Sequence, residues 1–530
     1  MSETRVNRAR LGLALLMLPT LLVAMDMTAL LLALPRLSAD LGASGVQQLW
    51  ISDGYGLMVA GLVITMGTLG DRIGRRRLLL IGAAAFGVLS VVAAFAVDPL
   101  MLIVVRALLG VAGATLAPST LALITNMFRD ERERGRAVAV WATCQFAGGV
   151  LGPVLAGFLL QHFWWGSVFL AAVPAMAVLL AAGPAVLPEF RSGAAGRPDP
   201  VGVGLSLVAV LLVLYGIKQL PVGGAPLVPV AALLVGSGVG CVFVRRQLRS
   251  ERPLLDLRLL RGRPFTAVLV SLVLAGAAMA GTGLLVTQYL QSVLGHSPFA
   301  SAVLFAPMGL AVAVGTTAAP RLAGRVERTT AIAGGLALSA LGALLLVAAD
   351  EDAGSLPLVL TGIAVLALGT GPLFALGTGL VLGSVPPERA GSAASMSETG
   401  NYLGGSLGFA LLGTVAAAVY RSRTGGGSDS LAGAVEAARR LPAGQGADLL
   451  HGARSAFTAA LHVDGLIAAA LFVGPALLTV AMRPARSAAP AEEEAEEDAP
   501  AEEEAEEDAA VEEEAEEDAA VQTAPAYERA

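Results

Sequence analysis

The sequence has little charge and few aromatic side chains for its length. Of its 530 residues, 15% are charged and 5% are aromatic, whereas 55% are hydrophobic. A soluble globular chain carries roughly 25% charged residues, so this composition excludes an ordinary soluble protein. The mean hydropathy of +0.72 and the 63 glycines, which suit close helix packing in lipid, indicate an all-α polytopic membrane protein.

Cysteine, histidine and lysine are also scarce, and this excludes several kinds of site. The two cysteines, Cys144 and Cys241, lie in apolar runs, so neither a disulfide framework nor a metal cluster is expected. The four histidines have no ligand spacing, and Lys218 is the only lysine. The sequence has no phosphate loop, ATP-binding motif or nucleophile motif. We therefore expect a protein that is not an enzyme, with no metal, no cofactor and no nucleic-acid partner, driven by a proton gradient.

The net charge of −7 conceals two regions of opposite sign. Residues 491–520 are three near-identical ten-residue blocks that hold 18 of the 42 acidic residues, whereas residues 1–490 carry a net charge of +11. Blocks of like charge with few apolar residues are typical of disordered segments. We expect a basic membrane-embedded body and, at 483–530, a disordered acidic tail.

Fourteen apolar runs are long enough to cross a bilayer, which takes about 20 helical residues. They lie at 11–34, 51–70, 78–97, 100–124, 137–160, 167–187, 201–220, 226–244, 266–290, 299–320, 330–349, 355–382, 393–420 and 457–482. Basic residues are commoner in cytoplasmic than in external loops. An N-terminus in the cytoplasm places 27 Arg and Lys on cytoplasmic segments and 7 outside. We therefore expect both termini to be cytoplasmic, in the cell membrane of a bacterium.

A repeat at an offset of 256 residues relates two halves of the chain. Residues of the fifth span recur in the thirteenth, where Gly135, Ala137, Gly148, Gly149, Gly152 and Gly157 are matched by Gly391, Ala393, Gly404, Gly405, Gly408 and Gly413. Parallel repeats around a central site are typical of secondary transporters. We expect six-helix bundles at 1–187 and 266–482, with two inserted helices and a basic linker at 188–265.

The first span contains a carboxylate, Asp26. It lies eight residues from the outer end of its span, and Arg106 lies about six residues from the outer end of the fourth. These positions correspond to depths of roughly 12 and 9 Å, so we expect the two charges to meet. A charge in lipid is costly unless it is paired or faces a cavity. Such a carboxylate can alternate between a proton and a cationic ligand; a purely structural ion pair is the alternative.

Four motifs resemble those of the major facilitator superfamily. They are the loop Gly67–Arg77 after span two, Arg106–Gly113 in span four, Gly148–Gly157 in span five and Met25–Pro35 in span one. The first-span motif is similar to that of fourteen-helix drug/proton antiporters. The run Gln47–Tyr55 is most similar to the QacA-type branch, which exports quaternary ammonium compounds and dyes. The resemblance covers the fourteen spans and excludes the tail.

The resemblance implies a set of functional residues. Proton coupling and substrate binding are expected at Asp26, Arg106, Glu398 and Asp53. The conformational gate is expected at Gly67, Asp71, Arg72, Gly74 and Arg75, and the antiporter helix motif at Gly148, Gly149, Gly152, Pro153 and Gly157. The position of Asp53 near the start of span two leaves two alternatives, a solvated interfacial acid or part of an outer cation vestibule. Candidates for a lipophilic-cation pocket are Tyr55, Trp141, Phe146, Tyr289, Phe374, Asn401 and Tyr402, each of which also suits packing.

The long external loop 421–456 has an amphipathic pattern over Leu431–Leu450, broken at 442–444. This pattern predicts a helical hairpin, with an unstructured loop as the alternative. QacA-type exporters resemble the chain in having an extracellular hairpin at this place.

These observations favour a proton-coupled multidrug antiporter that works as a monomer in the lipid bilayer and exports small amphipathic, mostly cationic compounds. A dedicated exporter of a natural product, giving self-resistance to its maker, is the main alternative. A proton-coupled nutrient symporter is less favoured, because the fifth-span motif resembles that of antiporters. A non-transporting sensor or scaffold would not need acids inside its spans.

Overall fold

Each apolar run of the sequence folds into a helix, because a helix satisfies its backbone hydrogen bonds internally and can face lipid. The computed structural model describes residues 3–128, 130–191, 199–220, 227–250, 255, 257–383, 390–425 and 430–481. Its α-helices are α1 Glu3–Leu41, α2 Gly45–Ile73, α3 Arg75–Ala94, α4 Pro99–Met127, α5 Glu131–His162, α6 Ser167–Leu170, α7 Ala172–Val186, α8 Pro200–Gln219, α9 Leu227–Arg249, α10 Arg263–Gln288, α11 Pro298–Ala323, α12 Arg328–Leu345, α13 Leu356–Gly383, α14 Ala390–Thr424, α15 Leu431–Arg439 and α16 Ala443–Ala481. Among the described residues, fourteen helical segments are long and apolar enough to cross a membrane, which confirms the predicted number.

The helices form two bundles with the same internal arrangement. In the first bundle α1 packs against α5 and α7, while α4 packs against α2 and α3. In the second, α10 packs against α14 and α16, while α13 packs against α11 and α12. The expected fold of two six-helix bundles with an inserted helix pair is confirmed. The exact domain boundaries stay a prediction, and the expected acidic tail lies outside the described residues.

The inserted helices α8 and α9 pack against each other, and α8 also contacts α2 and α14. At the start of α8, Asp199 caps the helix and accepts a hydrogen bond of 2.9 Å from the Arg246 guanidinium of α9. This bond holds the pKa of Asp199 below its ordinary value. The inserted pair is therefore a hairpin whose first helix contacts both bundles.

Glycines of the repeat bring equivalent helices together in the two bundles. A Cβ atom on Gly152 of α5 would lie 2.8 Å from the Met25 carbonyl oxygen of α1. A Cβ atom on Gly408 of α14 would lie 2.2 Å from the Ala277 carbonyl oxygen of α10. Only a residue without a side chain allows backbones to approach this closely. The repeat seen in the sequence is thus a repeat of helix contacts.

We call the side on which α1 begins the N-terminal face and the side on which it ends the distal face. Several contacts between the bundles lie at the distal face. Gly157 near the end of α5 abuts Phe299 at the start of α11, and Gly413 of α14 abuts Leu49 of α2. The Gln291 side-chain amide donates a hydrogen bond of 3.2 Å to the Leu32 carbonyl of α1.

The predicted hairpin in 431–450 is only partly correct. Its first arm is α15, but its second arm continues into the last span as one helix, α16, so that span is longer than the predicted 457–482. Ala434 of α15 packs in one cluster with Ala453, Ala456 and Phe457 of α16. These tertiary contacts stabilise the helix through a glycine-containing stretch with weak helix propensity of its own.

The helix contacts predict unequal effects of two neighbouring substitutions in α5. Gly152→Ala should lower the free energy of unfolding by about 1–3 kcal/mol, because the added methyl overlaps the backbone of α1. Gly149→Ala should have little effect, since no described atom outside the adjoining backbone of α5 lies within 4 Å of the added Cβ. Thermal unfolding of both purified variants in detergent measures this, and equal melting temperatures would contradict the helix contact.

Candidate transport site

An ion pair between α1 and α4 forms the centre of the site. The Arg106 guanidinium donates to Asp26 Oδ2 at 2.5 Å. The Arg106 side chain is 1% exposed and that of Asp26 is 14% exposed. The sequence prediction that these two charges lie at similar depth and meet is therefore correct. Because the arginine is enclosed and the carboxylate is accessible, a proton or ligand can approach the pair at Asp26.

Helix α2 holds Arg106 from the other side. The Arg106 Nε donates to the Ile51 carbonyl at 3.2 Å, and the guanidinium lies 4.9 Å from the centre of the Tyr55 ring. Gly110 and Gly113 of α4 make room for this, since a Cβ atom on Gly113 would lie 2.5 Å from the Tyr55 hydroxyl. The fourth-span motif thus combines one charge with glycines that let α2 pack against it. These contacts fix Arg106 in place independently of Asp26.

The antiporter helix motif packs directly beside Asp26. Gly148 of α5 abuts the Leu21 carbonyl, and Gly152 abuts Met25 and Thr28, so the two glycines flank Asp26 on α1. Pro153 lies inside α5, where proline removes a backbone hydrogen bond. The motif therefore sets the backbone distance around the carboxylate and contributes no reactive group.

Asp53 differs from both alternatives drawn from the sequence, because it is neither solvated nor open to a vestibule. Lys218 Nζ of α8 donates to both carboxylate oxygens of Asp53, at 2.8 and 2.7 Å, and both side chains are fully buried. The same ammonium group lies 3.8 Å from the centre of the Trp50 ring. A carboxylate at this depth needs a cation, and the inserted helix α8 supplies the only lysine of the chain.

The structure brings only some of the aromatic candidates to the ion pair. Tyr402 of α14 packs against the same cluster as Tyr55, and Trp141 packs there too while donating its indole N–H to Thr120 Oγ1 at 3.2 Å. Tyr289 and Phe374 lie in separate clusters of the second bundle. Asn401 is exposed, and the side chains of Phe146 and Glu398 lie outside the described residues. Tyr55, whose ring faces Arg106, is therefore the aromatic candidate shown beside the ion pair. Trp141 lies further along the bundle, since its partner Thr120 is fourteen residues, or about 21 Å, beyond Arg106 on α4.

The gate residues form a local turn at the N-terminal face. Asp71 accepts a hydrogen bond of 2.7 Å from Arg75 Nε across the break between α2 and α3. At the break, Gly74 has φ +114°, a conformation that favours glycine. Glu189, which sequence reasoning missed, accepts hydrogen bonds from the backbone N–H groups of Arg76 and Arg77 at the start of α3. Arg72 is exposed, and Gly67 packs near Pro118 of α4.

Sequence reasoning also missed Asp464, an acid inside the last span. It is 2% exposed, and the Thr282 hydroxyl of α10 donates to its Oδ2 at 2.9 Å. The signal that identifies Asp26, a carboxylate within an apolar run, is equally present at Asp464. No motif surrounds Asp464, and motif reasoning therefore passes over it.

Comparison with known proteins places these features in context. The sequence profile of the Major Facilitator Superfamily matches residues 16–422. The multidrug efflux pump LfrA of Mycolicibacterium smegmatis is 40% identical over 487 residues, which is 90% of this chain and 96% of that protein. The methyl viologen resistance protein SmvA of Salmonella typhimurium is 35% identical over 467 residues, 85% of this chain and 93% of that protein. The puromycin resistance protein pur8 of Streptomyces alboniger is 33% identical over 409 residues, which is 76% of this chain and 81% of that protein.

Solved structures support the fold. A bacterial homologue of the human lysosomal transporter Spinster, in an inward-facing and unoccupied conformation, matches with a TM-score of 0.62 at 16% identity. The match covers 91% of this chain and 99% of that one. At this identity the likeness concerns the fold alone.

The buried pair of Asp53 and Lys218 predicts a large effect of a single change. Lys218→Met should lower the free energy of unfolding by about 3–5 kcal/mol, because it leaves an uncompensated carboxylate inside the bundle. Adding Asp53→Asn to Lys218→Met should recover most of that loss. Arg246→Met, which breaks the solvent-exposed pair with Asp199, should leave the melting temperature nearly unchanged. Thermal unfolding in detergent measures all three, and a wild-type melting temperature for Lys218→Met would contradict the assignment.

Proposed function

The chain belongs to the Major Facilitator Superfamily, and from this membership we propose that it exports small amphipathic, mostly cationic compounds in exchange for protons. It is a multi-pass bacterial membrane protein and a transporter rather than an enzyme. The relatives named above are a multidrug efflux pump and two resistance proteins, which supports export as the direction of transport. The class of activity is inferred from the family and the relatives, and the chemistry of exchange is inferred from the site.

The observation that carries the proposal is the accessible carboxylate of Asp26 beside the enclosed Arg106. Ionised Asp26 is neutralised by Arg106 at 2.5 Å. A cation that approaches the exposed side of the carboxylate, or a proton that binds it, competes with this ion pair. Because Arg106 is also held by the Ile51 carbonyl and the Tyr55 ring, it stays in place when Asp26 is neutralised. One carboxylate can therefore bind a proton and a cation in turn, which is the requirement for exchange.

Aromatic groups beside the ion pair suit a lipophilic cation. The Tyr55 ring of the first bundle lies 4.9 Å from the Arg106 guanidinium, and Tyr402 of the second bundle packs against the hydrophobic cluster that contains Tyr55. Aromatic faces attract cations and offer apolar surface. A Cβ atom on Gly56 of α2 would lie within 4 Å of Ser406 and Met27, so α1, α2 and α14 meet at this place. The site therefore lies where the two bundles face each other, and relative movement of the bundles can expose it to either side.

The contacts at the distal face support a state that is closed on that side. We propose that the N-terminal face is cytoplasmic, as the distribution of basic residues indicates, so that the distal contacts close the external side. Labelling intact cells with a membrane-impermeant thiol reagent tests the orientation: in a cysteine-free background an Asp448→Cys variant should react and an Asn126→Cys variant should not.

The proton gradient is the proposed energy source, without a cofactor, and one chain contains the whole proposed site.

A dedicated natural-product exporter is the second candidate. The puromycin resistance protein among the relatives favours it, and the same site chemistry would serve a single cationic or amphipathic product. A resistance panel with and without a proton uncoupler distinguishes the two, since a dedicated exporter protects against one compound class only.

The proposal predicts that Asp26→Asn abolishes exchange without unfolding the protein. Asparagine keeps the shape of the side chain but neither ionises nor takes up a proton. In everted membrane vesicles, adding ethidium to the wild type should release protons, and Asp26→Asn should reduce that release at least about tenfold. Asp448→Asn, the same change at an exposed position, should behave as the wild type does. Wild-type exchange by Asp26→Asn in membranes with normal protein content would refute the role of Asp26.

A further inference from the structure

The second bundle holds a buried carboxylate that the proposed exchange at Asp26 does not use. Asp464 of α16 is 2% exposed, and its Oδ2 accepts a hydrogen bond of 2.9 Å from the Thr282 hydroxyl of α10. Its Oδ1 is enclosed and has no hydrogen-bond partner among the described residues. An ionised carboxylate in this position would leave an oxygen without solvation, which disfavours the charged form.

Within the described residues, the basic side chains of the neighbouring helices lie far from Asp464 along their helices. Beyond Arg263 at the start of α10 and Arg328 at the start of α12, these two helices contain no charged residue. On α14, Leu412 packs on Gly281 next to Thr282, and from Leu412 the residues Arg421 and Glu398 are about 13 and 21 Å along the helix. The titratable groups of the elements that pack on α16 are otherwise Tyr289, Tyr402, Tyr420, Arg423, Glu436 and Arg439.

The other titratable groups on α16 are either bonded elsewhere or distant from Asp464 along the helix. His462 Nε2 lies 2.6 Å from the Ala349 carbonyl oxygen at the distal face. Asp448, His451 and Arg454 lie ten or more residues before Asp464, which is at least about 15 Å along the helix. Asp26 has Arg106 and Asp53 has Lys218, whereas the described surroundings of Asp464 provide only a hydroxyl.

The internal repeat relates the position of Asp464 in the second bundle to that of Asp26 in the first. Gly148 and Gly152 of α5 abut Leu21 and Met25 of α1, and the matching Gly404 and Gly408 of α14 abut Val273 and Ala277 of α10. By this correspondence Asp26, the residue after Met25, matches Ala278, the residue after Ala277. Thr282 lies one helical turn further along α10. The carboxyl group of Asp464 therefore contacts α10 about one turn from the place that Asp26 occupies on α1.

Helix α10 connects this carboxyl group to the first bundle. Directly after Gln288 the chain continues at the distal face as a π-helical segment, Tyr289–Val293, a distortion frequent at functional sites. Gln291 within that segment donates to the Leu32 carbonyl of α1, six residues from Asp26. A movement that separates the bundles at the distal face must break this hydrogen bond and shift α10 against its neighbours.

We propose that Asp464 is a second proton-binding residue, so that each bundle contributes one carboxyl group and two protons move per transport cycle. In the conformation described here Asp464 holds its proton as a neutral acid. When the bundles separate at the distal face and external water reaches the interface of α10 with α16, the cost of the charged form falls, so that Asp464 can ionise there and take up a proton from the external side. Closure of the distal face encloses that proton, and it is released when water reaches the carboxyl group from the N-terminal face. The inference rests on the proposed exchange function and specifies its stoichiometry.

Charge balance makes the stoichiometry measurable. Exchange of two protons for one monovalent cation moves one net charge across the membrane, whereas exchange of one proton moves none. For the wild type in proteoliposomes at equal internal and external pH, a potassium diffusion potential set with valinomycin should therefore drive ethidium accumulation. The expected change in the equilibrium ethidium ratio is about 50-fold per 100 mV.

Asp464→Asn should retain ethidium–proton exchange but lose its dependence on the membrane potential. Asp448→Asn, the same substitution at an exposed site of the same helix, should keep the full dependence. An ethidium ratio independent of potential in the wild type, or the same 50-fold change in Asp464→Asn, would overturn the proposal.

An infrared measurement on purified protein covers the case in which Asp464→Asn does not fold. If Asp464 is protonated, the nearly isosteric Thr282→Val removes its hydrogen bond and should shift one carboxylic-acid C=O stretching band of the wild type. Unchanged carboxylic-acid bands would overturn the proposal. Because this readout needs no transport, it also separates the two claims: a shifted band in a protein that exchanges no ethidium would refute the exchange function and leave proton binding at Asp464 supported.

Discussion

A charge inside a membrane-spanning bundle must be neutralised by a nearby group, and this constraint governs the arrangement of the helices. Arg106 is held by a carbonyl and an aromatic ring of α2 and by Asp26 of α1, so one side chain joins three helices. Lys218 of α8 joins its helix to α2 through the ion pair with Asp53. Each pair holds its helices together because separating them would expose a charge to lipid, where the cost of an isolated ion is several kcal/mol.

The glycines of the repeat determine where these charges can meet. In both bundles they bring a fifth or thirteenth span into backbone contact with a first or ninth span, beside Asp26 in one bundle and Ala278 in the other. The shared scaffold therefore carries different chemistry in its two halves. The first half places an accessible, paired carboxylate at the interface, and the second places an enclosed one whose described hydrogen-bond partner is a hydroxyl. An exchanger needs both a group that a ligand can reach and a route for protons, and this asymmetry provides one group suited to each.

The features that the sequence predicted best are those whose free energy depends on a single stretch of chain. Apolar runs predicted all fourteen spans, and counting residues from the span ends predicted that Asp26 and Arg106 meet. The partner of Asp53 could not be predicted, because Lys218 lies 165 residues away on an inserted helix whose packing is not part of the repeat. The continuous helix α16 was missed because tertiary contacts with α15 outweigh the weak propensity of its glycines. Asp464 carried a visible signal without a motif, and only its burial and its contact with α10 show what distinguishes it.

The central claim is that a proton and a cationic substrate compete for the Asp26 carboxylate. The most direct test is the affinity of the purified protein for ethidium, measured by fluorescence as a function of pH for the wild type and for Asp26→Asn. Competition at one carboxylate predicts that the wild-type affinity falls by up to about tenfold for each unit of acidification. The affinity of Asp26→Asn should be weak and independent of pH over the same range. An affinity that depends on pH equally in both proteins would show that the proton and the substrate meet elsewhere.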